Sequence, residues 1–107
     1  MGTTHLSVFT PNMAVAVTSS INDFFGSGFL SPSTGILLNN DMDGFSLNDS
    51  DPFDSIRRFP YNDIKPRKRP LSAKCPTVVV DSEGNFKLVT GAAGGTRIPP
   101  AVGQVSE

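Results

Sequence analysis

Apolar and polar residues alternate through His5-Leu6-Ser7-Val8-Phe9 and return through Met13 to Ile21, a run rich in Val and Thr. A period of two marks a strand with its two faces in different surroundings. Thr10-Pro11-Asn12 lies between the runs, and proline and asparagine both favour a turn there. The pattern predicts a β-hairpin over residues 5–21. A second hairpin is predicted near residues 76–90. Thr77 to Asp81 and Phe86 to Thr90 are its strands, and Ser82-Glu83-Gly84-Asn85 is its turn, with Gly84 able to take a positive φ. Both hairpins are expected in one antiparallel sheet.

Between them the pattern loosens. Asn22 to Ser33 holds Phe24, Phe25 and Phe29 among Gly26, Gly28 and Pro32. It reads as an apolar loop packed under or beside the sheet. Gly35-Ile36-Leu37-Leu38 reads as a short buried strand or extended run, followed by a polar loop from Asn39 to Phe45. Residues 46–67 are expected to form a flexible, exposed loop. Asn48-Asp49-Ser50 within it matches a glycosylation acceptor, a triplet common by chance. No amphipathic helix of convincing length is visible, and after Pro99-Pro100 the chain runs polar to Glu107.

Composition narrows the class. A chain of 107 residues suggests at most one domain with a modest core. The formal net charge of −1 gives no global attraction to nucleic acid or a membrane surface. Ten Gly and nine Pro imply many turns, while 18% charged residues is low for a disordered chain. One cysteine, Cys75, excludes an internal disulfide and a cysteine-rich metal site. No apolar run approaches the ~20 residues a membrane span needs. A signal peptide and a myristoylation motif are both missing, Leu6 standing where the latter needs Ser or Thr.

Three stretches carry candidate chemistry. Thr3 opens the first strand, and a threonine becomes a usable nucleophile when its own freed α-amine serves as base. The plainer reading is a polar residue entering a strand. Gly91-Ala92-Ala93-Gly94-Gly95-Thr96 follows the last strand directly, and its small residues would let backbone N–H groups approach a ligand as an anion nest or oxyanion hole. A flexible turn accounts for it equally. Lys65-Pro66-Arg67-Lys68-Arg69 is a basic cluster that could serve nuclear import or nucleic-acid binding, but no aromatics interleave and a solvated loop is the preferred reading. From these residues alone, the chain is a small β-rich unit of open function.

Six blocks in register add a resemblance. They are Thr3-Thr4-His5-Leu6-Ser7-Val8, Thr18-Ser19-Ser20-Ile21-Asn22, Gly35 to Asp43, Lys68-Arg69-Pro70-Leu71-Ser72, Cys75-Pro76-Thr77 and Gly91 to Thr96. In this order and spacing the chain resembles the small subunit of γ-glutamyltranspeptidase, or glutathione hydrolase, from Gly2 to about Ile98. The resemblance implies an α+β class, a partial N-terminal nucleophile hydrolase fold seen in this chain mainly as antiparallel hairpins with long loops. Residues 1–107 would be a single partial domain, the N-terminal half of that subunit.

The resemblance also implies an enzyme whose precursor cuts itself before a threonine. That threonine attacks the γ-glutamyl amide of glutathione and other γ-glutamyl donors, then passes the acyl group to water, an amino acid or a dipeptide. Thr3 takes the nucleophile's place and Ser20, where threonine is usual, that of its hydroxyl partner. Gly94 and Gly95 take the place of the oxyanion donors. Asn22 and Asp41 match positions that hold the donor's α-amino group, Asp41 being shorter than the usual Glu or Gln. Ser72 matches the first of two serines on the α-carboxylate. Ala73 replaces the second, and Gly44 replaces an aspartate that pairs with the substrate ammonium. No cofactor, metal or nucleic acid is implied. The large subunit of the same precursor is the implied partner, and the extracellular face of the plasma membrane or secretion the implied location. The chain reads as partial and inactive alone; the rival reading is a non-catalytic light-chain-like remnant that acts, if at all, by interaction.

Overall fold

The computed structural model describes residues 2–46 and 60–107. Asn48 and most of the expected loop over 46–67 therefore lie outside the described residues. Among the described residues the architecture is α+β: four strands in two antiparallel pairs, short 3₁₀ turns and one helix.

The first hairpin forms where alternation places it. Strand β1, Thr3–Thr10, pairs with β2, Met13–Ser20, through an unbroken register from Thr3 opposite Ser20 to Thr10 opposite Met13. Pro11 and Asn12 alone make the connection, and the Thr10 hydroxyl donates to the Met13 carbonyl at 3.2 Å. Strand β3, Thr77–Val80, pairs with β4, Phe86–Thr90, with a bulge between Val79 and Val80. Its turn is built around Asp81. That carboxylate accepts from the Glu83 and Asn85 backbone N–H groups at 2.9 and 2.8 Å and from the Asn85 amide, and it pairs with Lys87 at 3.0 Å.

The expectation of one shared sheet is corrected. The hairpins are separate two-stranded sheets that lie against each other, and the Phe9 ring meets Phe86 edge-on with centroids 6.2 Å apart. Period-two alternation specifies which side chains share a face, not whether that face meets an edge or another sheet. One face of β1–β2 carries Thr3, His5, Ala14, Ala16, Thr18 and Ser20, all half-buried. The opposite face carries Leu6, Val8, Met13, Val15 and Val17, all exposed.

Three other expectations change. Phe24, Phe25 and Phe29 are 78%, 76% and 56% exposed, so the loop after β2 does not pack under a sheet. Ile36 and Leu38 are exposed as well, and the Gly35–Leu38 run contributes one isolated bridge, Leu37 to Leu30. Helix α1, Ile98–Val105, occupies the expected polar tail. Pro99 and Pro100 fall in its first turn, where a missing N–H costs nothing, and Ile98 and Val102, four apart on one face, are buried. Among the described residues the buried side chains are those two, Phe45 and Asn62.

Candidate functional site

The start of β1 and the end of β2 meet because the hairpin register puts Thr3 opposite Ser20. Their hydroxyls share a hydrogen bond of 2.8 Å, and Ser20 Oγ also accepts from the Asn22 backbone N–H at 2.9 Å. The pairing continues one residue outward, with Gly2 N–H donating to the Asn22 carbonyl and Ile21 N–H to the Gly2 carbonyl. The Gly2–Thr3 peptide thus runs in a hydrogen-bonded ribbon, and the Thr3 nitrogen is an amide in this chain.

Asn22 turns the chain away from the sheet with φ 70°, a left-handed conformation asparagine tolerates better than most residues. Its side chain donates to the Asn40 carbonyl at 3.3 Å. Asn40 is a junction that the sequence did not single out. Its Oδ1 accepts from Asp23 N–H at 3.0 Å, and its Nδ2 donates to the Asp23 and Asp43 carboxylates at 2.9 and 2.8 Å. These bonds fix the 3₁₀ turn Asp41–Gly44 beside the end of β2, so Asp41 and Asn22 belong to one patch.

The segment that leads into Ser72 packs on the Asp41–Gly44 turn. A methyl group on Gly44 would stand 3.0 Å from Pro70 Cβ and 3.1 Å from the Leu71 carbonyl oxygen, so the turn sits directly on the segment that leads into Ser72. Asn62 stitches the two together. It is 5% exposed, donates to the Gly44 carbonyl at 2.8 Å and accepts from Leu71 N–H at 3.0 Å. Within the stretch expected to be exposed, Pro60–Asn62 is therefore a 3₁₀ turn with a buried anchor. The side chain of Lys68, in the basic cluster, donates to the Tyr61 and Asp63 carbonyls. Its charge is tied to local backbone rather than offered with Lys65, Arg67 and Arg69, which are exposed.

Gly91 leaves the end of β4 and lies against the His5 ring, which brings the head of the glycine loop to the face of β1 that carries Thr3. Gly94 and Gly95 then have φ of 145° and 61°, a pair of values that side chains on Cβ disfavour, and Arg97 N–H closes a turn onto the Gly94 carbonyl at 3.4 Å. Successive amides in such a turn can face a common acceptor. No group of three His, Cys, Asp or Glu able to hold a metal occurs among the described residues. Cys75 is a free, half-buried thiol near the Thr77 hydroxyl.

The signals missed by sequence reasoning share a type. Asn40, Asn62 and His5 act through contacts with residues distant in sequence, and their spacing announces nothing.

Known proteins supply the remaining context. The family model for gamma-glutamyltranspeptidase matches residues 1–106. Glutathione hydrolase proenzyme 2 of Schizosaccharomyces pombe is 43% identical over 102 residues, covering 94% of this chain and 17% of that protein. Glutathione hydrolase 3 of Arabidopsis thaliana is 47% identical over 105 residues, covering 97% of this chain and 16% of that one. A crystal structure of an acivicin-inhibited gamma-glutamyltranspeptidase superposes with a TM-score of 0.83 at 40% identity, over 95% of this chain and 55% of the solved one. The chain thus spans less than a fifth of these curated relatives and about half of the solved chain. Its hairpin pairs form part of the N-terminal nucleophile hydrolase fold, and it belongs to the gamma-glutamyltranspeptidase family.

Proposed function

We propose that this chain supplies the nucleophile half of a γ-glutamyltransferase or glutathione hydrolase. The 2.8 Å bond between the Thr3 and Ser20 hydroxyls is the observation that carries the reading. A nucleophilic hydroxyl must be oriented, and Ser20, itself fixed by Asn22 N–H, supports that role through a hydrogen bond in which either hydroxyl can donate.

The chemistry runs in two balanced steps. Thr3 Oγ1 attacks the γ-glutamyl carbonyl carbon of glutathione or a related donor, and its proton passes to a base. In the mature form the base is the Thr3 α-amine, released by cleavage of the Gly2–Thr3 peptide; as an amide that nitrogen has no basic lone pair. The negative charge on the carbonyl oxygen is held by Gly94 and Gly95 N–H groups. The C–N bond then breaks, the proton goes to the departing amine, and an ester on Thr3 remains. Water, or the amine of an amino acid or dipeptide, attacks that ester and regenerates Thr3. Splitting one amide exchange through an ester intermediate lowers each barrier, and amides aimed at the oxyanion are worth roughly 10²–10³ in rate per donor.

The donor's α-amino group falls to Asn22 and Asp41, and its α-carboxylate to Ser72. Asn40, bonded to Asn22, Asp23 and Asp43, and Asn62, bonded to Gly44 and Leu71, would act as supports. Gly44 and Ala73 each lack a group that relatives' sites use on the donor, and a missing charge-assisted hydrogen bond costs about 1.5–3 kcal/mol. Weak donor binding follows. The exposed row Leu6, Val8, Met13, Val15 and Val17 suits burial against the large subunit of the same precursor. No helix among the described residues is long and apolar enough to cross a membrane, and location at the outer membrane face or in the medium remains part of the proposal.

Release of nitroaniline from a γ-glutamyl anilide tests the reading. The chain paired with a large subunit and starting at Thr3 should turn the substrate over, and Thr3→Ala should abolish turnover. Equal rates with and without Thr3 would refute it. The 107-residue chain alone, with Gly2 still attached, should be inactive.

A further inference from the structure

His5 has no role in the reaction outlined above, yet it occupies the most constrained space near Thr3. A Cβ on Gly91 would overlap the Cε1, Nδ1 and Nε2 atoms of the His5 ring. Both ring nitrogens are bound, Nδ1 to the Thr18 hydroxyl at 2.7 Å and Nε2 to the Ser7 hydroxyl at 2.9 Å. Hydroxyls can donate or accept, so either neutral tautomer satisfies both bonds. The ring is therefore pinned to β1 through Ser7 and to β2 through Thr18, directly opposite His5 in the register. It lies on the face of Thr3 and Ser20, one side-chain repeat further along each strand. On its other side it bears on the first residue of the loop that carries Gly94 and Gly95.

We propose that His5 is a positioning residue, a spacer whose thickness sets the separation between the Thr3 hydroxyl and the Gly94–Gly95 amides. This rests on the reading of those amides as oxyanion donors. The physical argument is rigidity on both sides. The ring cannot sink, because two hydrogen bonds hold it across the strand pair. Gly91 cannot retreat freely, because β4 fixes its N-terminal neighbour Thr90 in the ladder opposite Thr77. A shorter side chain at position 5 would let the loop settle toward β1, and a methyl on Gly91 would push it away. These displacements have opposite sign, so combining them should restore the gap.

The test uses His5→Ala, Gly91→Ala and the double variant. In the 107-residue chain, the readout is the amide NMR resonances of Gly94 and Gly95. Each single variant should shift them, in different directions, and the double variant should bring them back toward the wild-type positions. In the enzyme assembled with a large subunit, each single variant should lower kcat by about 10–10²-fold, the scale of an ångström-sized misplacement. KM should stay within about twofold, and the double variant should recover part of the kcat. Thr18→Val keeps the ring but removes one tether, and covers the case in which Gly91→Ala does not fold; it too should shift both glycine amides. A double variant whose glycine amides stay displaced or whose kcat loss is the product of the two single losses, or Thr18→Val shifts confined to β2, would overturn the proposal while leaving the reading of Thr3 intact. Coupled NMR shifts in an assembly where Thr3→Ala leaves turnover unchanged would instead refute the reading of Thr3 as nucleophile, and the catalytic side of this inference with it.

Discussion

Replacing Ser20 and Thr3 one at a time should give unequal losses, because their hydroxyls do unequal numbers of jobs. Thr3→Val keeps the shape of the side chain and removes one hydrogen bond, that to Ser20 Oγ. Ser20→Ala removes two, because the same oxygen also accepts from Asn22 N–H. Each such bond contributes about 1 kcal/mol net, and more where a part-buried partner is left unsatisfied. Thr3→Val should therefore destabilise the chain by about 1 kcal/mol and Ser20→Ala by about 2 kcal/mol. Asn22 sharpens the difference. Its left-handed backbone costs roughly 1–2 kcal/mol, and the bond to Ser20 is one of the contacts that hold it there. The double variant closes a cycle, and its coupling energy should be about 1 kcal/mol, the single bond the two hydroxyls share. Urea unfolding followed by circular dichroism measures all four species. Equal losses for the single variants would mean that the Ser20–Asn22 bond contributes nothing, and a coupling energy near zero would mean that the Thr3–Ser20 bond does not hold the two strand ends together.

Asn62→Ala should cost about 2–3 kcal/mol, since it orphans the Gly44 carbonyl and Leu71 N–H beside a buried site; in the assembled enzyme it should raise KM more than it lowers kcat, and an unchanged KM would separate the patch from the donor. Gly84→Ala should destabilise by about 1 kcal/mol although nothing crowds the site, because φ there is 85°, whereas Gly103→Ala in α1 should stabilise by up to about 1 kcal/mol; thermal melts of the pair decide it. Asp81 has its carboxyl lowered from 3.8 to about 2, first by the Asn85 side chain, then by Asn85 N–H and Lys87. A depressed acid contributes stability that is complete above pH 3.8 and disappears as pH falls toward 2, so the unfolding midpoint should fall in that window and Asp81→Asn should flatten the fall. Gly44→Asp with Ala73→Ser should lower KM for a γ-glutamyl anilide, provided the Pro70–Leu71 segment gives by a few tenths of an ångström; no change in KM would mean these positions do not face the donor.

Both hairpins were legible in the sequence because alternation and turn chemistry are local. What the strands pack against was not. The same alternation in β1 serves a face that meets β3–β4 and a face left exposed among the described residues, and hydrophobicity alone cannot tell the two apart. Phe24, Phe25 and Phe29 illustrate the same limit, since apolar composition predicted burial that is not seen among the described residues. Helix α1 escaped notice because Pro99, Pro100 and Gly103 disfavour a helix interior, yet the prolines sit in the first turn, where they are tolerated. In the candidate site, Thr3 and Ser20 followed from family resemblance, and the hairpin register gave the physical reason they meet. Asn40, Asn62 and the contact of His5 with Gly91 were invisible, because each joins segments whose proximity is created by the fold.

The most direct test of the central claim is to locate the acyl group. The chain starting at Thr3 is mixed with a large subunit and a γ-glutamyl donor, quenched in acid during turnover, digested and mapped by mass spectrometry. The account predicts a γ-glutamyl ester on the N-terminal peptide, at Thr3, absent from the Thr3→Ala protein. An ester on another residue, or steady turnover with no acylated peptide, would contradict it.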